Sequence, residues 1–99
     1  MEKPSIRPAS PEVSVSYPCE GETISHPSYT FQVAVGEQAE AVEVSIDQGD
    51  WQPCRDAVGL WWFDWSGYDS GEHEVAARLR KPDGTTRLSE PRLFEVKLG

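Results

Sequence analysis

Apolar and polar residues alternate strictly in several segments of this chain, and this period of two limits the fold more than any other feature. Successive side chains of a β-strand point to opposite faces, so alternation marks a strand with one buried face. No segment shows the 3.6-residue periodicity of a helix. The inward rows predicted by the alternation are Val13, Val15 and Tyr17; Tyr29, Phe31, Val33 and Val35; Val42, Val44 and Ile46; Trp61, Phe63 and Trp65; His73, Val75, Ala77 and Leu79; and Phe94, Val96 and Leu98.

Turn sequences separate these segments about every eight to twelve residues, which is the spacing typical of β-sandwiches and barrels. Residues 47–50 predict one hairpin turn, and residues 81–84 predict another. In the second turn, Pro82 sets φ at the second position and Gly84 accepts the positive φ that follows. We therefore expect an all-β chain, folded as an immunoglobulin-like two-sheet sandwich of about seven antiparallel strands.

The chain has room for one small domain, since it has 99 residues and single domains usually have about 100–150. We assign residues 11–99 to that domain, and residues 1–10, which are rich in proline, serine and charge, to a flexible leader. No apolar run has the length of a signal peptide or of a membrane span. We expect a cytoplasmic protein if the sequence is complete, and an extracytoplasmic one if it is part of a larger exported protein.

Four segments resemble bacterial immunoglobulin-like domains of the Big type, in the expected order. Residues 42–51 (VEVSIDQGDW) resemble the VEVSIDGGxW hairpin of that family, and residues 59–65 (GLWWFDW) resemble its GxWxYxW strand. Residues 18–24 resemble the opening PxxGxxI, and residues 71–84 resemble the DGxHxIxARAxDxxG segment. The resemblance implies a spacer or binding unit without catalytic residues. A similar hairpin in the immunoglobulin-like dimerisation domain of molybdenum oxidases implies a dimerisation module as an alternative.

Trp62 is the tryptophan that the alternation sends outward, together with Leu60 and Asp64. In the usual strand order of a sandwich, its strand lies beside the first two strands. The resulting flat, uncharged surface of hydroxyl and amide groups around an indole suits a sugar ring. An exposed tryptophan beside a leucine equally suits a protein interface. We favour contact with a partner protein, with a second copy of the chain or a polysaccharide as alternatives. The residues predicted for this face are Ser14, Ser16, Thr30, Gln32, Leu60 and Trp62.

The net charge of −8 is unevenly distributed. Residues 1–75 carry a net charge of −11, and residues 76–99 carry +3. The bases could pair across strands, as Arg78 with Glu43, or form a docking site for an acidic partner, including the acidic end of another copy. Nucleic acid is excluded, since these bases lack interleaved exposed aromatics and face a negative field. The predicted basic hairpin tip consists of Arg78, Arg80, Lys81 and Arg87.

Two cysteines, Cys19 and Cys54, leave two alternatives. They are independent reduced thiols, or they form a disulfide that closes a loop of about 36 residues and stabilises the fold by about 3–4 kcal/mol in the chain-entropy model.

The remaining polar residues predict neither a metal site nor an active site. His26 and His73 do not show metal-ligand spacing. Asp64, Asp69 and Glu72 do not match the EF-hand pattern. We therefore expect no metal and no cofactor. Because no recognisable set of base and nucleophile is present, we expect the chain not to be an enzyme.

Overall fold

The computed structural model describes residues 12–36 and 39–99. The leader predicted for residues 1–10 lies outside these described residues. Within them, the chain forms ten β-strands and no helix. The strands are β1 (Val13–Tyr17), β2 (Thr23–Ile24), β3 (Ser28–Val35), β4 (Ala41–Ile46), β5 (Gln52–Pro53), β6 (Arg55–Ala57), β7 (Leu60–Ser66), β8 (Gly71–Arg80), β9 (Thr86–Leu88) and β10 (Arg92–Val96).

The strands form two sheets, as the alternation predicts. Sheet A has the order β1-β3-β7-β6, and sheet B has the order β2-β10-β8-β4-β5, with β9 also paired to β8. The all-β sandwich is therefore confirmed. One pairing differs from the expected antiparallel arrangement, because β2 runs parallel to β10. The chain reaches this position by leaving sheet A after β1 and joining the edge of sheet B.

The strand count exceeds seven because some strands are interrupted where the backbone cannot continue its ladder. β9 and β10 both pair with β8, and Pro91 lies between them. Proline has no N–H to donate to a ladder. At this interruption the side chain of the buried Ser89 takes the place of a backbone carbonyl. Its Oγ accepts a hydrogen bond from the Ala77 N–H at 2.9 Å. The Ser89 N–H in turn donates to the Ala77 carbonyl at 2.9 Å.

The core lies between the two sheets and is built from the predicted inward rows. Phe31 is fully buried at its centre, with ring centroids of Trp65 at 5.2 Å and Phe94 at 5.8 Å. Two predicted inward residues are exposed instead. Tyr17 is 49% exposed because the register shifts after Val15, and Leu98 is 37% exposed because it lies beyond the end of β10. The buried core residues are Val13, Val15, Ile24, Phe31, Val33, Val42, Val44, Val75, Ala77, Leu79, Phe94 and Val96.

Both predicted hairpin turns are confirmed. At residues 81–84, the Gly84 N–H donates to the Lys81 carbonyl at 2.9 Å, and Gly84 has φ +93°. In the turn after β4, the Gly49 N–H donates to the Ile46 carbonyl at 3.0 Å. Residues 12–36 and 39–99 contain no helix that is long and apolar enough to cross a membrane.

Candidate functional site

The structure places the predicted face residues of β3 and β7 side by side on the outer surface of sheet A. Gln32 pairs with Trp62, and Thr30 pairs with Asp64. Leu60 lies two residues before Trp62 on the same side of β7. The side chains on the opposite side of β7 pack against the core, and these are Trp61, Phe63 and Trp65. The alternation in this segment therefore assigned each side chain to the correct face.

The two serines predicted for this face lie on β1, which β3 separates from β7. Ser14 is exposed and pairs with Ala34. Ser16 is half-buried at the register shift, beyond which Tyr17 pairs with Gln32. Tyr17 thus lies exposed at the β1 edge, although the alternation predicted it to be in the core.

Trp62 is held in place by a hydrogen bond to the neighbouring edge strand. Its indole Nε1–H donates to the Ala57 carbonyl at 3.0 Å, and its backbone pairs with Arg55 on β6. The side chain is half-buried as a result. A ligand on this face would therefore meet a fixed aromatic surface whose N–H already has an acceptor.

The face carries an ion pair, so the prediction of an uncharged surface was wrong. Arg55 Nη1–H donates to Asp64 Oδ2 at 2.7 Å, and the Thr30 hydroxyl donates to Asp64 Oδ1 at 2.9 Å. These hydrogen bonds, from Arg55 first, lower the pKa of Asp64 below its ordinary value. Exposed ion pairs stabilise proteins little. Alternation does not predict this pair, because the three-residue β6 is too short to show a period of two.

The β6–β7 hairpin ends in a turn that contains an exposed valine in an unfavourable conformation. Ala57 pairs with Leu60, so Val58 and Gly59 form a two-residue turn, with φ values of +46° and +78°. Positive φ at both positions is typical of a type I′ turn, for which Asn-Gly is the preferred sequence. A β-branched residue at positive φ is uncommon and strained. Val58 is also 87% exposed. We call Val58, Leu60 and Trp62 the hairpin surface.

Two residues of the predicted basic hairpin tip form ion pairs within the chain. Arg78 donates to Glu43 at 2.6 Å, as the cross-strand alternative predicts, and its guanidinium lies 4.3 Å from the ring centroid of Trp51. Arg87 donates to Glu12 at 2.8 Å. The other two bases, Arg80 and Lys81, lead into the turn at residues 81–84. Two of the four bases therefore face carboxylates of their own chain.

Both cysteines are free thiols, so the structure favours the alternative without a disulfide. Cys19 is exposed, and Cys54 is half-buried at the point where the chain crosses from β5 in sheet B to β6 in sheet A. Burial, followed by the nearby charge of Glu43, raises the pKa of the Cys54 thiol to about 12. The thiol is therefore protonated at neutral pH and a poor nucleophile.

The carboxylates that were considered for calcium do not converge. Asp64 lies on the outer face of sheet A with Arg55, whereas Asp69 lines a cleft between the sheets. Within the described ranges, no group of three or more His, Cys, Asp or Glu residues is arranged to hold a metal ion.

His73 lines that cleft and has a hydrogen-bond acceptor beside each of its ring nitrogens. Its Nδ1 lies 2.7 Å from Asp47 Oδ2, and its Nε2 lies 2.9 Å from the Asp69 carbonyl oxygen. Two acceptors favour a ring that carries hydrogen on both nitrogens, which is the charged form. Burial lowers the pKa of His73, but the hydrogen bonds outweigh burial and raise the pKa above its ordinary value.

Comparison with known proteins identifies the fold through solved structures, whereas neither a family model nor a curated protein matches the chain. The chain is similar to the fibronectin(III)-like modules of Clostridium thermocellum CbhA, with a TM-score of 0.74 and 17% identity over 86% of this chain and 94% of that one. The fold is an immunoglobulin-like β-sandwich. The narrower assignment to Big-type domains remains a prediction, since no family model supports it.

Two further structures contain this sandwich within much longer chains. An engineered protein matches with a TM-score of 0.73 and 26% identity over 93% of this chain and 21% of that one. A modular endo-β-1,4-mannanase of glycoside hydrolase family 26 from Cellulomonas fimi matches with a TM-score of 0.62 and 26% identity over 94% of this chain and 19% of that one. This chain spans about a fifth of the length of each of them.

Proposed function

We propose that this chain is a non-catalytic accessory module that contacts a partner protein through the hairpin surface. The similarity to a fibronectin(III)-like module supports a role as a module. The mannanase, described as modular, also supports it, since the similar region is 19% of that protein. The pKa of the half-buried thiol Cys54, raised to about 12, argues against a nucleophilic role for that residue.

The observation that carries the proposal is the exposed valine at the hairpin tip. Val58 is 87% exposed at φ +46°, a position where asparagine or glycine would be more stable. Strain of this kind is found mainly where function requires a particular side chain. Leu60 and Trp62 extend the apolar surface from the tip onto the sheet, and the bond from Trp62 to Ala57 fixes the indole before any partner arrives. Tryptophan side chains are enriched at the energetic centres of protein interfaces.

Two other occupants of the same face follow from the same geometry. A second copy of the chain would make the hairpin surface a dimer interface. A polysaccharide would stack on Trp62 and bond to Gln32, which is its cross-strand neighbour. The similarity to a mannanase makes this second alternative worth testing, but the Trp62 indole N–H and the Asp64 carboxylate on this face already have partners within the chain.

Site-specific crosslinking in the cells that produce the protein tests the proposal. A photo-crosslinking amino acid at position 58 should give an adduct with a distinct protein, and Trp62→Ala should abolish that adduct. The control position is Leu93, which is 54% exposed on β10 of sheet B and should give no such adduct. Absence of any Trp62-dependent adduct from position 58 contradicts the proposal. Sedimentation of the purified chain tests whether it self-associates. Amide-shift titration with soluble mannan tests whether it binds a sugar.

A further inference from the structure

On the side of the sandwich opposite β1, the outermost strands β5 and β6 are too short to cover the full edges of β4 and β7. β6 covers β7 only from Leu60 to Trp62, and β5 covers β4 only at Glu43 and Val44. Beyond these short strands, no strand among the described residues pairs with the free edge of β7 at residues 63–66. The result is a cleft of about 440 Å³ between the two sheets. Small-ligand sites usually have about 300–1,000 Å³.

Aromatic rings form the floor of this cleft, and internal contacts hold them in position. Phe63 and Trp65 point between the sheets from β7 and are half-buried. The Tyr68 ring stacks on Trp65 with centroids 3.9 Å apart and an interplanar angle of 21°. The Tyr68 hydroxyl donates to the His26 carbonyl at 2.6 Å, and the His73 ring meets Trp65 edge-on at 5.2 Å. We call Phe63, Trp65 and Tyr68 the aromatic floor.

Polar side chains surround the aromatic floor, and several of them have no hydrogen-bond partner among residues 12–36 and 39–99. Asp50 and Gln52 line the cleft, and their side chains make no hydrogen bond to the described residues. The carboxylate of Asp69 is likewise free of hydrogen bonds there, since only its backbone carbonyl is used. Asp47, by contrast, is held by His73 and by the Glu74 N–H at 2.9 Å. The rim therefore offers hydrogen-bond acceptors, together with one amide that can also donate.

This combination selects the chemistry of a ligand. The one basic side chain of the lining, His73, has both ring nitrogens within hydrogen-bond distance of acceptors of the chain, so no free cationic group attracts an anion. A ring with apolar C–H faces can stack on the aromatic floor, while its hydroxyl groups donate to the rim carboxylates. Because the cleft opens along the side of the sandwich, an extended chain can enter and leave it. We propose that this cleft binds a segment of a neutral polysaccharide.

Titration with defined oligosaccharides tests this site independently of the hairpin surface. Mannohexaose and cellohexaose are the neutral probes, a chitosan hexamer is the cationic probe, and oligogalacturonate is the anionic probe. With a neutral probe, amide and indole NMR signals of Trp65, Tyr68 and Gln52 should shift. Binding should weaken about tenfold or more in Tyr68→Ala, a loss of ~1.4 kcal/mol or more, and stay within about threefold in Tyr68→Phe, which keeps the ring.

Two exposed rim residues keep the test independent of folding. The double variant Asp50→Ala/Gln52→Ala removes side chains that have no hydrogen-bond partner in the described part of the chain. It should therefore fold normally and bind a neutral hexasaccharide at least about fivefold more weakly. Asp56→Ala, which removes an exposed carboxylate of β6, and Trp62→Ala should leave this binding unchanged. Three results overturn the proposal: no shift with either neutral hexasaccharide, stronger binding of the charged probes, or shifts that depend on Trp62 and not on the rim.

Discussion

Replacing Val58 by asparagine should stabilise the fold, because the valine lies in a left-handed conformation that asparagine tolerates. Val58 has φ +46° and is followed by Gly59 at φ +78°. A residue with a Cβ is destabilised by about 1–2 kcal/mol in this left-handed conformation, and asparagine is destabilised less. Since Val58 is 87% exposed, the substitution sacrifices only ~0.2 kcal/mol of apolar burial. The expected net gain is about 1 kcal/mol, which corresponds to a rise in Tm of about 4–8 °C for a domain of this size.

Equilibrium urea unfolding, followed by tryptophan fluorescence, and calorimetry measure this gain. The matched control is Gly59→Ala in the same turn. A Cβ at Gly59 would meet no atom within 4 Å, so any loss of stability there reflects the backbone alone, at about 1–2 kcal/mol. If Val58→Asn is no more stable than the natural chain while Gly59→Ala is destabilised, the strain assigned to Val58 is refuted.

Three further predictions follow from buried or hydrogen-bonded groups. Because the folded-state pKa of His73 is raised above its ordinary value of 6.5, its contribution to the free energy of unfolding should be complete below pH 6.5 and decline as pH rises through the folded-state pKa. His73→Gln should flatten this decline in urea midpoints measured against pH. Ser89→Ala should destabilise the fold by about 1–3 kcal/mol, since the Ala77 N–H loses its acceptor in the core; a change below experimental error contradicts this role. In the native protein, iodoacetamide should label the exposed Cys19 much faster than the half-buried Cys54, whose pKa is about 12. Mass spectrometry measures the labelling, and equal rates at the two cysteines, or the absence of a free thiol, would contradict this prediction.

The inward rows could be predicted from the sequence because each depends only on the period of its own strand. Val42 and Val44 on β4, and Val75 and Ala77 on β8, are buried as the alternation predicts. Tyr17 differs because a register shift with β3 adds a residue that alternation cannot anticipate.

The hairpin surface was only half predictable. The position of Trp62 follows from the alternation, but the turn at Val58 does not carry the Asn-Gly signature by which such hairpins are recognised. Because the hairpin cannot be recognised from the sequence, neither can the position of Arg55 beside Asp64 or the ion pair that the two residues form.

The cleft between the sheets depends on where β5 and β6 end relative to β4 and β7, and these ends are set by the crossing of the chain from one sheet to the other at Cys54. Trp65 and Tyr68 are near neighbours in the chain, but the rim residues Asp50 and Gln52 come from the preceding hairpin. A period-two pattern assigns faces, and it carries no information about which edge of a strand lacks a neighbour.

The crossing of the chain at Cys54 has a consequence for how copies of this protein behave at high concentration. By moving from one sheet to the other, the chain divides a single long edge into the two-residue β5 and the three-residue β6. An edge strand recruits other chains through a continuous row of unpaired backbone groups, so short edges offer a poor template for aggregation. Neither β5 nor β6 is long enough to act as such a template, so copies of this protein can lie close together without pairing along these two strands.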